Sequence, residues 1–458
     1  MPTATTTNPA TGEELDTYEL LDTDGARRMV RDAHDAFTEW STRSVDDRAK
    51  VIQRISELLR ERSGEIVALM TAEMGKTVSD GRSEVELCAA ICEWTAANGP
   101  AELADEEREL DGGRALVSYR PQGVILGIQP WNFPLYQAIR YSIPNLVAGN
   151  TVLLKHSSTV YGSAQLLGEI YREAGLPEGA FGVLFADHDA VEDIISMREI
   201  RGVTLTGSDG AGSHIAAIAG KHLKKTVMEL GSNDAYVILA DADLDAAVTA
   251  AVQGRMYNNG ETCVAAKRFI VEDAVYDRFR DAYVEQMSAL TMGDPTDEDS
   301  DHGPMARMDL RDELHEQVTS SVDAGATLLL GGTIPDRPGA WYPATVLEDV
   351  APGMPAYDDE LFGPVASLIR VSDAEEAMRV ANDSRYGLGG GIFAGDVERA
   401  TALARDEFDT GMVNVNTYGL ADPHLPFGGV KDSGYGREHG GFGIKEFVNV
   451  KAIRIADA

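Results

Sequence analysis

The strongest constraint on the fold is a repeated alternation of short apolar runs with helical patterns, beginning at Gly123. "GVILGI" reads as a buried strand, with a helix expected from Leu135. "TVLLK" (Thr151–Lys155) is a second strand and Gly162–Ala174 a second helix. "GVLF" and "GVTLTG" continue the series, the latter leading through "SDGAG" into the helical "SHIAAIAG". Strands that are apolar throughout are covered on both faces, so this βαβα rhythm specifies an α/β doubly wound parallel sheet. A second α/β series opens at "AYVILA" (Ala235–Ala240). It runs through a helix at Leu244–Tyr257, "RFIV", a helix at Val275–Leu290, "SLIRV", a helix at Ala374–Asn382 and "GMVNVN". A chain of 458 residues is too long for one compact core, and two or three domains are expected.

Ser44–Lys76 reads as one long amphipathic helical region, with Val51, Ile55, Leu58, Leu59, Ile66 and Leu69 at helical spacing. Ser44 and Asp47 resemble a capping box. In Ala104–Gly123, "DGG" marks a turn and "RALVSYR" alternates like a strand with one wet face, so a projecting hairpin is expected. The tail "FVNVKAIRI" alternates too and reads as an exposed edge strand.

The charge is far from balanced: 75 acidic against 40 basic residues give −35. A surface this negative repels nucleic acid and anionic membranes. It suits a very salty cytosol, where screening reaches only about 3 Å near 1 M salt; an ordinary acidic protein is the plainer alternative. The N-terminus has no charged-then-apolar signal pattern, and no apolar run reaches the roughly 18 residues of a membrane span. A cytoplasmic, reduced protein is expected. Of the three cysteines, Cys88 and Cys92 share a helix face in "VELCAAICEW" and read as buried, inert thiols, because no further metal ligand is near. The acidic run "DPTDEDSDHG" (Asp294–Gly303) lacks calcium-loop spacing and a closing glutamate, and reads as a solvated loop.

Cys263 differs. It sits in "NNGETCVAAKRF", a polar, glycine-containing loop, where a thiolate would have the access a nucleophile needs. "QPWNFP" closes the "GVILGI" strand, and ligands of open α/β sheets bind beyond the carboxyl ends of strands. Asn132 there can aim an amide N–H at a developing oxyanion. Glu229 in "VMELGSND" ends another strand, where a carboxylate can serve as a base or, more plainly, as a cap or ion-pair partner. Glu360 and Phe362 lie in "DELFGPVA", and "PFGGVKDSGYGRE" forms a late glycine-rich loop.

In their order "NPATGE", "QPWNFP", "LLK", "TLTGS", "MELGSND", "GETC", "DELFGPV" and "PFGGVKDSGYGRE", these segments resemble the NAD(P)-dependent aldehyde dehydrogenase superfamily, from about Asn8 to the C-terminus. "PWNFPLYQAIRYSIPNLVAGNTVLLKH" and "CVAAKRFIV" look most like its succinate-semialdehyde dehydrogenase branch. The resemblance implies Cys263 as nucleophile, Asn132 and the Cys263 amide as oxyanion donors, and Glu229 as the base that activates water. It implies a cofactor set of Lys155 and Ser158 at the adenosine ribose, Gly207 and Ser208 at the pyrophosphate, and Glu360 and Phe362 at the nicotinamide side, with Trp131 and Leu230. NAD-selective members often carry glutamate at the position of Ser158. Its absence removes the charge that repels a 2′-phosphate, so NAD or NADP is expected, with NADP admitted. No metal is implied. The fold implied is a cofactor-binding domain (1–103 and 124–231), a catalytic domain (232–435) and a small β bridging element (104–123 and 436–458). In the family that element pairs with another subunit, so a homodimer or homotetramer is expected, its strand edge covered.

Departures from the pattern are informative. Glu261 replaces the usual glutamine two residues before the nucleophile; it is expected to point outward, as part of the general acidic drift. Arg140 matches an arginine of semialdehyde-oxidising relatives and is read as a substrate-carboxylate ligand, with a structural salt bridge as the alternative. Tyr257 and His424 replace arginines found in relatives, so the carboxylate pocket is only partly matched; His424 is retained as a substrate-side residue. Succinate semialdehyde leads, and a neutral aldehyde is the alternative. A CoA-acylating enzyme is disfavoured by the presence of Glu229. A catalytically silent scaffold is disfavoured because Cys263, Asn132 and Glu229 are all retained.

Overall fold

A computed structural model of the chain describes residues 2–187 and 190–456. The expected domain boundaries extend to Met1 and Ala458; Met1, His188, Asp189, Asp457 and Ala458 lie outside the described residues.

The first α/β series forms a six-stranded sheet. Its order is Gly434–Tyr435, Lys225–Glu229, Ile200–Thr206, Val124–Gln129, Thr151–His156 and Phe181–Val183. All neighbours are parallel except the first pair, in which Gly434 lies opposite Glu229. Val124–Gln129 comes first in the chain yet sits centrally, so strand order reverses between it and Ile200–Thr206. That reversal opens a crevice outside the strands' carboxyl ends. The helix expected from Leu135 spans Tyr136–Ala148 and is buried along its whole length. Gly149, left-handed at φ 98°, ends it.

The second series forms a seven-stranded sheet: Thr327–Leu330, Thr345–Glu348, Val365–Val371, Arg268–Glu272, Ala235–Ile238, Gly390–Phe393 and Asn414–Val415. Only Thr327–Leu330 is antiparallel. "GMVNVN" contributes no more than the two-residue strand Asn414–Val415 at the edge.

The hairpin expected in Ala104–Gly123 forms from Glu106–Leu110 and Gly113–Pro121. Gly112, at φ 75°, supplies the left-handed turn residue. The tail strand Val448–Ala456 pairs with it along nine residues, Val448 against Pro121 through Ala456 against Gly113. Its outer side stays exposed, with Val450 59% and Ile453 37% accessible.

Ser44–Lys76 departs from one continuous helix. Val45–Glu61 and Ser63–Met74 are separate, broken at Arg62 ahead of Ser63 and Gly64, both poor helix formers. The Ser44 cap is present: its hydroxyl accepts from the Asp47 amide at 3.1 Å. Cys88 and Cys92 are fully buried, and burial raises both thiols. The acidic run Asp294–Gly303 is a loop whose carboxylates accept locally, Asp294 from Thr296 and Asp301 from Thr291. Among the described residues no helix is long and apolar enough to cross a membrane.

Candidate active site

The crevice of the first sheet opens into a cavity of about 280 Å³ that also reaches the second sheet's loops. Pro130, Trp131 and Asn132 enter it directly from the end of Val124–Gln129, and Thr206, Gly207 and Ser208 from the end of Ile200–Thr206. Leu230 and Gly231 follow the third strand. The other wall holds Cys263, Glu360, Phe362 and one face of the helix Met308–Asp323, namely Leu310, Glu313, Leu314 and Gln317. Eight residues expected at the site thus line one cavity: Trp131, Asn132, Gly207, Ser208, Leu230, Cys263, Glu360 and Phe362.

The cysteine loop has a specific local cause. Asn258 (φ 56°), Asn259 (φ 58°) and Gly260 (φ 77°) are three consecutive left-handed residues. Asparagine and glycine are the residue types that tolerate this region, which is why "NNG" precedes the cysteine. Side chains lock the turn. Asn259 Nδ2 donates to Gly75 O (3.0 Å) and Pro304 O (2.9 Å). Asn258 Nδ2 donates to Asn132 O (2.9 Å) and Glu261 O (3.1 Å). Asn132 Nδ2 donates to the same Glu261 carbonyl at 3.0 Å. The two loops carrying Asn132 and Cys263 are therefore stitched to each other.

The two cations after the cysteine serve different ends. Lys267 is 2% exposed and ion-paired with Glu360 at 3.0 Å. Its Nζ also donates to Ser232 Oγ (2.8 Å), Thr262 O (3.2 Å) and Cys263 O (2.5 Å). Arg268 donates to the carbonyls of Val380, Ala381 and Asp383, at the end of the helix Ala374–Asn382, and to Asn233 O. Lys267 was visible in the sequence only as a nearby charge. Nothing there tied it to Glu360, which lies far along the chain. Glu313 and Gln317 were not singled out in the sequence at all.

Electrostatics set resting protonation states. Burial pushes the Cys263 thiol up to about 11, against the pull of Arg140 and Lys267. Glu229 is 1% exposed, and burial raises its carboxyl to about 8, with Arg140 opposing and Glu438 adding. Among the described residues neither Glu229 oxygen has a hydrogen-bond partner. A Cβ added at Gly428 would stand 2.7 Å from its Oε1, so glycine leaves this carboxylate its room. A buried carboxylate without donors keeps its proton at neutral pH and gains basicity, as a proton-moving group requires.

Three expected residues are placed otherwise. Glu261 does not point outward: it is fully buried, its carboxylate accepting from the Ala306 amide at 3.0 Å. Burial raises this carboxyl well above the usual range. It is turned to the loop behind the cysteine rather than to solvent. Arg140 is 1% exposed and ion-paired with Glu438, with Nη2 donating to Thr206 Oγ1 at 2.9 Å. Of the two readings of Arg140, the salt bridge is present, made with Glu438, because a buried charge needs a partner. His424 lies outside the cavity, its side chain 71% exposed and bonded to Asp422 at 2.7 Å. Its loop is polar and turns on Asp422, which also accepts from the His424 amide.

Lys155 is the penultimate residue of the strand Thr151–His156 and is 6% exposed, its ammonium lowered by burial with Asp187 opposing. Ser158 starts the next turn and lines a separate hollow with Thr159, Arg307 and Asp309. Ser208 caps the thirteen-residue helix Asp209–Lys221, accepting from Ala211 N at 3.3 Å. Backbone amides at such a terminus suit an anion, so the crevice fits a dinucleotide pyrophosphate. Among the described residues no cluster of three or more metal-ligating side chains occurs.

With this geometry in hand, comparison with known proteins is direct. The model of the aldehyde dehydrogenase family matches residues 2–453. The NAD(P)+ succinate semialdehyde dehydrogenase of Escherichia coli (strain K12) is 45% identical, over 97% of this chain and 96% of its own. The NADP+ succinate-semialdehyde dehydrogenase of Deinococcus radiodurans is 44% identical, over 98% and 94%. The solved succinic semialdehyde dehydrogenase of Streptococcus pyogenes, in complex with NADP+ as the cofactor, has a TM-score of 0.97 at 38% identity, covering 99% of this chain and 100% of that one. The site is built on that shared fold, and the chain belongs to the aldehyde dehydrogenase family.

Proposed function

We propose that this protein oxidises succinate semialdehyde to succinate with NAD(P)+. One observation carries the substrate: full-length relatives named for that reaction are 44–45% identical. The chemistry rests on the convergence of Cys263 and Asn132 on one cavity, with Glu229 buried among the charges behind it. The Cys263 thiol gives its proton to water and its sulfur bonds the aldehyde carbon as the C=O π bond opens, giving a thiohemiacetal oxyanion. Asn132 Nδ2 and the Cys263 amide hold the oxyanion. NAD(P)+, when bound, would supply a hydride acceptor, and loss of hydride from the aldehyde carbon would leave a thioester on Cys263. Glu229, ionised, takes a proton from water, whose oxygen bonds the thioester carbon as the C–S bond breaks, releasing the acid and the Cys263 thiolate.

Gly207 and Ser208 would hold the pyrophosphate, Lys155 and Ser158 the adenosine ribose, and Glu360 the nicotinamide ribose, with Trp131, Leu230 and Phe362 packing beside it. Ser158 brings no negative charge against a 2′-phosphate, which supports NADP use. Arg140 reaches a substrate carboxylate only where Glu438 gives way. The segments 1–103 with 124–231, 232–435, and 104–123 with 436–458 act as cofactor, catalytic and bridging units. The bare edge of Val448–Ala456 supports a homodimer or homotetramer, and the −35 charge supports a cytoplasmic setting at high salt.

The test is reduced-nucleotide formation with succinate semialdehyde and with butanal, each with NAD and NADP, beside Arg140→Ala. Preference for the semialdehyde that Arg140→Ala removes supports both the substrate and Arg140. Equal rates, unchanged in Arg140→Ala, make the chain a general aldehyde dehydrogenase.

A further inference from the structure

Asn132 and Cys263 lie on loops from different sheets, 131 positions apart in the chain (263 less 132), yet they must meet one aldehyde carbon and its oxygen. Their direct stitches are backbone and amide contacts. Behind them stands the helix Val78–Glu102, which reaches both loops with one face. Glu84, fully buried, uses Oε1 to accept from the amides of Leu135 and Tyr136, both at 2.9 Å. These are the first amides of the helix that begins just after Asn132. Asp80, one turn earlier, uses Oδ2 to accept from the Asn258 amide at 2.9 Å, at the first left-handed residue of the cysteine loop.

Lys76, also fully buried, pairs with Glu84 and places its ammonium 3.9 Å over the Phe133 ring. Phe133 in turn stacks on Tyr257, centroids 6.0 Å apart and 24° from parallel. Gly75, immediately before Lys76, gives its carbonyl to Asn259. Residues four apart on a helix hold their Cβ atoms roughly 5–6 Å from each other. The spacing of the two loops is thereby referred to one rigid rod instead of to the loops themselves.

We propose that Asp80 and Glu84, with Lys76 as counter-charge, form a buried clamp that sets Asn132 against Cys263. Asp80 and Glu84 are positioning residues: neither lines the cavity. The inference rests on the oxyanion role given above to Asn132. A misplacement near 1 Å costs about 100-fold in rate, so loosening the clamp is felt in chemistry before binding.

The experiment is a double-mutant cycle between Glu84→Gln and Asn132→Ala, with Asp80→Asn as a second clamp variant. Each is assayed for kcat, for KM of aldehyde and NADP+, and for alkylation of Cys263 by iodoacetamide, a displacement that needs no oxyanion donor. Glu84→Gln is expected to lower kcat about 10- to 100-fold, with KM for NADP+ and the alkylation rate within about threefold. In the Asn132→Ala background it should add little, since the group it positions is gone. Losses that multiply in the double variant, or alkylation falling as far as kcat, would overturn the clamp and leave Glu84 a purely structural cap. Should Glu84→Gln fail to fold, Asp80→Asn in the same cycle decides by the same criteria. If Asn132→Ala itself costs no activity, the oxyanion reading of Asn132 fails and the clamp falls with it.

Discussion

The two sheets contribute to one site by different means. The six-stranded sheet delivers its residues at strand ends: Asn132 lies three residues past Gln129, Thr206 and Glu229 are terminal, and Ser208 caps the next helix. Hydrogen-bonded strands fix Thr206 and Glu229 directly, whereas Asn132, beyond its strand, is also held from behind by Glu84 and Asn258. The seven-stranded sheet delivers Cys263 and Glu360 on loops, neither at the end of a strand. Those loops are held by buried polar side chains: Asn258, Asn259, Lys267 and the Glu261 carboxylate. A loop placed by side chains has more single points of failure than a residue at a strand end.

The largest effects should come where either sheet supplies the reacting atoms. Cys263→Ala should lower oxidation by at least about 10⁴-fold while leaving NADP+ affinity near wild type, read by nucleotide titration. Lost nucleotide binding would show that the cysteine loop, and not only its sulfur, shapes the cofactor wall. Glu229→Gln comes next, at about 10²–10⁴-fold in turnover. Its sign with pH follows from burial. A carboxyl raised to about 8 is largely protonated at pH 7 and gains base character as pH rises through 8. Wild-type kcat should therefore climb across pH 7–9, and Glu229→Gln should flatten that limb. The same shift costs the native state stability as pH rises from the ordinary carboxyl value through 8, a loss that Glu229→Gln removes.

Lys267→Met tests the loop side. It removes the ion-pair partner of Glu360 and one donor each from Ser232 Oγ, Thr262 O and Cys263 O. Removing one partner of a buried pair costs about 3–5 kcal/mol, to be read in denaturant unfolding. KM for NADP+ should rise in parallel, whereas Ser208→Ala, at a strand-derived helix cap, should cost only about 1 kcal/mol. A similar loss for both would erase the contrast between the sheets. The smallest effect is expected at Glu261→Gln. Its carboxylate already faces Ala306, so activity and Cys263 alkylation should stay within about threefold. A large gain in thiol reactivity would show that Glu261 does act on the sulfur.

Sequence legibility follows the same division. Strand-end residues announced themselves, because buried strands read as apolar runs and the motif that follows each run is where an open sheet binds ligands. Asn132 and Glu229 were found that way, and Ser208 through the family resemblance. The cysteine was found through the company it keeps in the chain, and "NNG" was visible without its meaning, three left-handed residues in a row. Glu261 was misjudged, and the two readings of Arg140 stayed open, for one reason: a charge in a sequence carries no sign of its partner. Glu438 and the Ala306 amide, which close them, are distant in the chain.

Pattern alone determined the α/β class, the hairpin in Ala104–Gly123 and the strand character of the tail, because periodicity and local turn chemistry are written in neighbouring residues; the roles proposed for Cys263, Asn132 and Glu229 rest on the family resemblance as well. Only the tertiary structure decided which buried charges meet: Lys267 with Glu360, Arg140 with Glu438, Lys76 with Glu84. Such pairings join residues by space, and burial sets both their partners and their protonation.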